Sequence, residues 1–214
     1  MLDKSYRCDV LTFQQFLADA ASKGEFVNVL FEERVFELIG TLHKITGPLE
    51  QAGIPHELIG GLAVFIHIEN ASPEHSTLTR DIDLMIHRSD LQQVINIAGE
   101  HGFRFRHSAG VDMLLYGATT SAKNAIHLLF SGEKVKASQP EPNPKIEPTK
   151  VHIHGEAVCI IPVSDLVHMK LSSFRDKDRV HIRAMDAAGL ITPDVEGKLS
   201  ATLKERLKQT RESE

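Results

Sequence analysis

Residues 81–86, DIDLMI, constrain the fold of this chain most tightly. Ile82, Leu84 and Ile86 alternate with Asp81, Asp83 and Met85, the period-2 pattern of a strand with one apolar face. The same alternation sets two carboxylates side by side on the other face. Like charges that close cost stability unless a cation sits between them. Taken alone, the tripeptide leaves two explanations open: hard oxygen ligands for one or two divalent cations, or a solvated edge strand.

A second feature lies upstream. HELIG (56–60) is short and apolar, and GLAVFIHIE follows with helical composition, so a strand, a Gly60-Gly61 turn and a helix are expected. Glycines entering a helix let backbone N–H groups approach an anion closely, beside the positive end of the helix dipole. A triphosphate needs that cradle together with a metal. Either glycine alone is an ordinary strand-to-helix turn, and it is the pairing with Asp81 and Asp83 that favours the phosphate reading.

The rest of the chain supplies more sheet and a helical end. A short helix is expected at 11–22. Phe31, Val35, Leu38, Leu42, Ile45 and Leu49 recur at steps of four and three, the stripe of an amphipathic helix that Pro48 should kink and Gly53 should end. Residues 70–78 read as a polar loop. A helix is expected from Ser89, as N-cap, to His101, strands at 103–107, 111–116 and 125–130 extend the sheet in antiparallel fashion, and further strands are expected near 151–161. Four of the nine prolines fall in 138–149, which makes that stretch a loop, a lid or a divider. Three helices follow, the first to Phe174, the second capped by Asp176 and running to Ala188, the third over 194–209. The expected fold class is α+β: a mixed, largely antiparallel sheet with helices on one face and a helical C-terminal lobe. The division is 1–30 as an N-terminal helical segment, 31–162 as the core and 163–214 as the lobe.

Composition excludes several classes. At 214 residues the chain can bury a good core without staples, and no apolar run approaches the roughly 20 residues of a membrane helix. No secretory or transit signal is evident at the N-terminus, so a cytoplasmic location is expected. Cys8 and Cys159 lie far apart and outside any CxxC pattern, which argues against a disulfide framework or a zinc site and for inert thiols. A net charge of -5 disfavours a general nucleic-acid coat, while leaving room for a local basic patch. His152 and His154 alternate on a strand without a third ligand at metal spacing and read as surface residues; His67 reads as a packed or capping histidine.

LIGGLAV (58–64) followed by TRDIDLMI (79–86) resembles the signature of the DNA polymerase beta-like nucleotidyltransferase superfamily, and is similar in particular to its bacterial AbiEii-like branch. The similarity covers roughly residues 30–190, with KLSSFRDKD (170–178) as its second block. It implies that Gly60 and Gly61 contact a nucleoside triphosphate, that Asp81 and Asp83 hold Mg2+, and that Lys170, Arg175, Lys177 and Asp178 complete the nucleotide site. Two departures stand out. Nineteen residues (62–80) separate Gly61 from Asp81, which calls for an insertion around 68–76, and the third acid expected on a neighbouring strand aligns with His127 in AIHLLF. Since Ile126, Leu128 and Phe130 form an apolar face, His127 should point with Asp81 and Asp83, where an imidazole could take the acceptor's proton. Glu133 and Asp112 are the alternative third groups. Independently, Lys170, Phe174, Lys177 and His181 would share one face if 165–185 were a single helix, either a triphosphate clamp or a solvated basic face.

The function expected from these readings is Mg2+-dependent transfer of a nucleoside monophosphate to an unknown acceptor, whether RNA, protein or a small molecule. The competing class is a non-catalytic nucleotide-binding or interaction module of a toxin–antitoxin type, with a small partner protein. A nucleotide-sugar transferase using Asp-x-Asp is disfavoured by the short chain and by the glycine turn preceding the acids.

Overall fold

The computed structural model describes residues 34–72, 81–117, 125–153 and 156–213. The helix expected at 11–22, the segment 1–30 with Cys8, most of the 70–78 loop, and His154 lie outside the described residues. The chain divides into two compact units, Met1–Glu37 and Leu38–Glu214. Of the first, only residues 34–37 are described, and they are helical.

The second unit is built on seven strands: β1 (His56–Ile59), β2 (Ile82–Ile86), β3 (Phe103–Ser108), β4 (Val111–Tyr116), β5 (Ala125–Phe130), β6 (Thr149–Ile153) and β7 (Glu156–Ile160). They form one sheet in the order β3-β4-β5-β2-β1-β7-β6. β1–β2, β3–β4, β4–β5 and β6–β7 are antiparallel, while β2–β5 and β1–β7 are parallel, so the sheet is mixed and largely antiparallel. The two parallel joins flank the central antiparallel pair β1–β2 and place β5 beside β2. Ile82, Leu84 and Ile86 pair with Ile126, Leu128 and Phe130, and all six are buried. Met85 and Ala125 are buried as well, so the other face of these central strands is also covered, where a single apolar face was expected.

Helix α1 occupies 38–51 of this unit, with Leu38, Leu42, Ile45 and Leu49 buried as their spacing required. Pro48 lies within it without ending it; the chain leaves the helix through Gly53 at φ +68, where Ile54 N–H donates to the Leu49 carbonyl at 2.9 Å. α2 (Gly60–Ala71) is apolar around most of its circumference, as befits a helix packed on β1, β2, α4 and α5 at once. A 3-10 turn over 88–90 precedes α3 (Leu91–Glu100), so Ser89 is not an N-cap.

The C-terminal helices differ from expectation in two places. α4 (Val163–Ser173) ends at Phe174, which takes the left-handed conformation at φ 53, and α5 (Asp176–Ala187) starts anew with Arg175 in the N-cap position. The side chains of Lys170, Phe174, Lys177 and His181 therefore do not stack along one helix. The last expected helix is two, α6 (Pro193–Gly197) and α7 (Ala201–Glu212), because the Ser200 hydroxyl caps a new start by accepting from Leu203 N–H at 3.3 Å. The proline-rich stretch is irregular up to Thr149 but strapped down: the Asn143 amide donates to the Phe130 carbonyl at 3.0 Å, and the Ser172 hydroxyl donates to the Glu141 carbonyl at 2.9 Å. No helix among the described residues is long and apolar enough to cross a membrane.

Candidate functional site

Gly60 and Asp83 are made for each other. The register of β1 on β2 sets Ile59 opposite Asp83, so the chain turns into α2 directly beside that carboxylate. Gly60 takes φ +76, and a Cβ built there would lie 1.9 Å from Asp83 Oδ2. Only glycine satisfies both the backbone conformation and the contact. The N-terminus of α2 has no side-chain cap and no acid in its first turn, so the carboxylate beside its free N–H groups comes from β2 instead. Gly61 is buried in that first turn. Asp81 immediately precedes β2 rather than lying within it.

The parallel join brings in the next group. Asp83 pairs with His127, and His127 Nδ1–H donates to Asp83 Oδ1 at 3.2 Å, with both side chains about a quarter exposed. That hydrogen bond, joined by the charges of Asp83 and Asp81, raises the pKa of His127 against the opposing effects of burial and of Lys177. Asp112 is one register step from Met113, the residue opposite His127, so its side chain leaves the sheet on the other face. Glu133 follows the far end of β5, three residues past the Ile86–Phe130 pair. Arg88 holds both acids, at 3.3 Å from Asp112 and 2.6 Å from Glu133, with its guanidinium over the Phe130 ring. Neither alternative third group reaches Asp83. Arg88, which occupies both of them, went unnoticed in the sequence because nothing local marks its partners, 24 and 45 residues away.

On the helical side, Asp178 is fully buried and organises two bases. It accepts from Arg175 Nε at 2.7 Å and from the Arg175 backbone N–H at 3.2 Å, capping α5, and Lys170 Nζ lies 3.4 Å away. Lys170 is itself buried, and burial lowers its pKa against the charges of Asp178 and Asp83. Arg175 is half exposed; its bond to Asp178 raises its pKa, and Asp83 adds to the effect. Lys177 is exposed and acts on His127. Lys170, Arg175 and Lys177 thus come within electrostatic range of the β2–β5 carboxylate and imidazole, although their helix is broken. His152 is exposed, and His67 Nε2 bonds the Ile161 carbonyl at 2.8 Å, a packed histidine.

No family model matches this chain, and no curated protein matches it. Solved structures do. The antibiotic-resistance factor ANT(2'')-Ia in complex with adenylyl-2''-tobramycin superposes with a TM-score of 0.51 at 13% identity, over 80% of this chain and 95% of that one. An antigenic nucleotidyltransferase-like protein from Paracoccidioides brasiliensis gives 0.53 at 14% identity, over 84% and 88%. The Megavirus polyadenylate synthase gives 0.50 at 10% identity, over 90% of this chain and 40% of that one. The chain shares the α+β fold of these proteins.

Proposed function

We propose that this protein transfers a nucleoside monophosphate from a nucleoside triphosphate to an acceptor, releasing pyrophosphate, at the junction of β1, β2, β5 and α2. The observation that carries the reading is the seat of Asp83 on Gly60 at the uncapped N-terminus of α2. A space that a single Cβ would fill, lined by a carboxylate and by free helix N–H groups, suits a metal-bound triphosphate. Asp81 and Asp83 are hard oxygen donors that fit Mg2+, which when bound would neutralise charge on the reacting phosphates and the leaving pyrophosphate.

The residues divide the work. Backbone N–H groups at Gly60 and Gly61 cradle phosphate oxygens, and Arg175 and Lys177 reach them from α5. Lys170, held by Asp178, keeps the floor of the site positive. The acceptor oxygen attacks the α-phosphorus, the bond from that phosphorus to the bridging oxygen breaks, and the acceptor's proton passes to His127. With Nδ1 pinned by Asp83, Nε2 is the ring nitrogen left for that proton. In this reading 31–162 carries the nucleotide and 163–214 supplies the cations; a cytoplasmic location suits a triphosphate substrate. The narrower affinity to the AbiEii-like branch rests on the LIGGLAV, TRDIDLMI and KLSSFRDKD blocks.

One observation favours a second reading. An imidazole bonded to Asp83 stands where the superfamily resemblance calls for a third acid, as suits a nucleotide-binding module of a toxin–antitoxin pair. Incubation with each labelled triphosphate, Mg2+ and total cellular RNA or protein separates the two. Transfer of label with pyrophosphate release, lost in Asp83→Asn, supports the enzyme. Tight triphosphate binding with no release from any of the four nucleotides supports the module.

A further inference from the structure

The end of β1 remote from Asp83 holds a second constellation. Glu50 from the last turn of α1, His56 at the start of β1 and Cys159 on β7 bring a carboxylate oxygen, an imidazole nitrogen and a sulfur within 4.8 Å of one another. The Cys159 thiol donates to Glu50 Oε1 at 3.3 Å. His56 is 3% exposed, and its Nδ1–H donates to the Ile54 carbonyl at 2.9 Å, which fixes the neutral tautomer and leaves the lone pair on Nε2. Nε2 is buried without any hydrogen-bond partner. Such a buried orphan is destabilising unless something binds it, and an imidazole oriented by a backbone carbonyl with its other nitrogen bare is how histidine is prepared for a metal.

We infer that Glu50, His56 and Cys159 bind a thiophilic divalent cation, Zn2+, as three protein ligands of a four-coordinate site. The mixture of sulfur, nitrogen and a single carboxylate selects Zn2+ over Mg2+, which prefers an all-oxygen shell. On binding, the Cys159 S–H bond breaks, the sulfur–metal bond forms and the proton leaves to solvent; thiolate and carboxylate then balance the cation. An open pocket of about 420 Å³, bordered by these residues with Pro148 and Lys150, gives the ion its entry and water the fourth position. Lys150 Nζ, 3.7 Å from Glu50 Oε1, is exposed and free to swing away. The site ties α1 to two strands of the sheet. It lies three residues along β1 from Ile59, roughly 10 Å from the Asp83 pairing, and does not depend on the proposed transferase chemistry.

The chelator-treated full chain is titrated with Zn2+ against a competing chromophoric chelator, and separately with Co2+ while following the sulfur-to-cobalt charge-transfer absorption. One ion per chain and a charge-transfer band are expected. Cys159→Ser should abolish the band and weaken Zn2+ by more than the roughly 10–100-fold that loss of an outer-shell partner costs. Glu50→Gln, at a residue about two-fifths exposed and therefore tolerant of change, should weaken Zn2+ likewise while leaving nucleotidyl transfer unchanged. Cys8→Ser and Asp83→Asn should retain full binding. An unaltered chain with no band, or a band of full strength in Cys159→Ser, overturns the assignment. If Cys159→Ser does not fold, an unchanged Zn2+ affinity in Glu50→Gln overturns it instead.

Discussion

Gly60 concentrates two demands on one residue, a positive φ and room for Asp83 Oδ2. Gly60→Ala should cost about 1–3 kcal/mol of stability through the left-handed backbone and force Asp83 off the helix end. Denaturant titration together with triphosphate binding checks this, since a variant with unchanged stability and full Mg2+-dependent binding would show that the seat is immaterial. His127 carries a different test, because it touches Asp83 without belonging to the glycine turn. His127→Ala should reduce transfer by about 100-fold or more while triphosphate affinity changes little. Unchanged transfer in that variant rules out the base role.

The break between α4 and α5 decides what the basic residues of KLSSFRDKD do. Phe174 in the left-handed conformation ends α4, and Asp178 then accepts from the new N-cap and faces Lys170 across the break. Lys170, which the sequence offered as part of a triphosphate clamp or of a solvated basic face, is buried and so is no solvated base. Lys170→Ala removes a buried cation from Asp178, which keeps Arg175 as its remaining partner, and should lower stability by roughly 1.5–3 kcal/mol, the worth of a bond to a charged group. Arg175→Ala removes a half-exposed group and leaves the buried Asp178 with Lys170 and the residue-175 backbone N–H, so it should shift the melting temperature less than Lys170→Ala while weakening triphosphate binding more. Melting curves and nucleotide titrations on both variants separate these roles; equal loss of stability in the two would contradict the division.

Across the whole molecule, buried titratable groups set the pH range of stability. Glu57, fully buried on β1 beside Asp165 and Glu147, has its pKa pushed up to about 8 by burial first and then by those acids. The folded state therefore holds a proton that the unfolded chain releases near 4.5, and stability falls as pH rises from there to about 8. His181 is held down to about 4 by burial and then by Lys170, while burial also lowers His56 and His67; these three contribute stability that is present above 6.5 and lost as pH falls below it. Between 4.5 and 6.5 the histidines outnumber Glu57, and above 6.5 Glu57 acts alone among these groups. The melting temperature of the chelator-treated protein should peak near 6.5. Glu57→Gln should flatten the alkaline decline, being more stable than the unaltered chain near pH 8 and about equal to it near pH 5. A decline of the same slope in that variant assigns it elsewhere.

What the sequence determined by itself was local and periodic. The alternation in DIDLMI and AIHLLF, the Gly60 turn and the stripe on α1 each follow from side-chain spacing within one element, where neighbours in sequence are neighbours in space. The apolar face of AIHLLF already turned His127 toward Asp81 and Asp83; the parallel pairing of β5 with β2 that seats it on Asp83, and the Arg88 contacts that hold Glu133 and Asp112, came only with the tertiary structure. Register between strands 44 residues apart is chosen by the apolar faces the whole sheet must cover, and a shift of one residue would have exchanged His127 for an isoleucine or a leucine. The burial of Lys170 and the meeting of Glu50, His56 and Cys159 were decided in the same way. Spacing along the chain says nothing of a carboxylate and a thiol 109 residues apart, and only the packing of α1 on a parallel strand pair brings them to one imidazole.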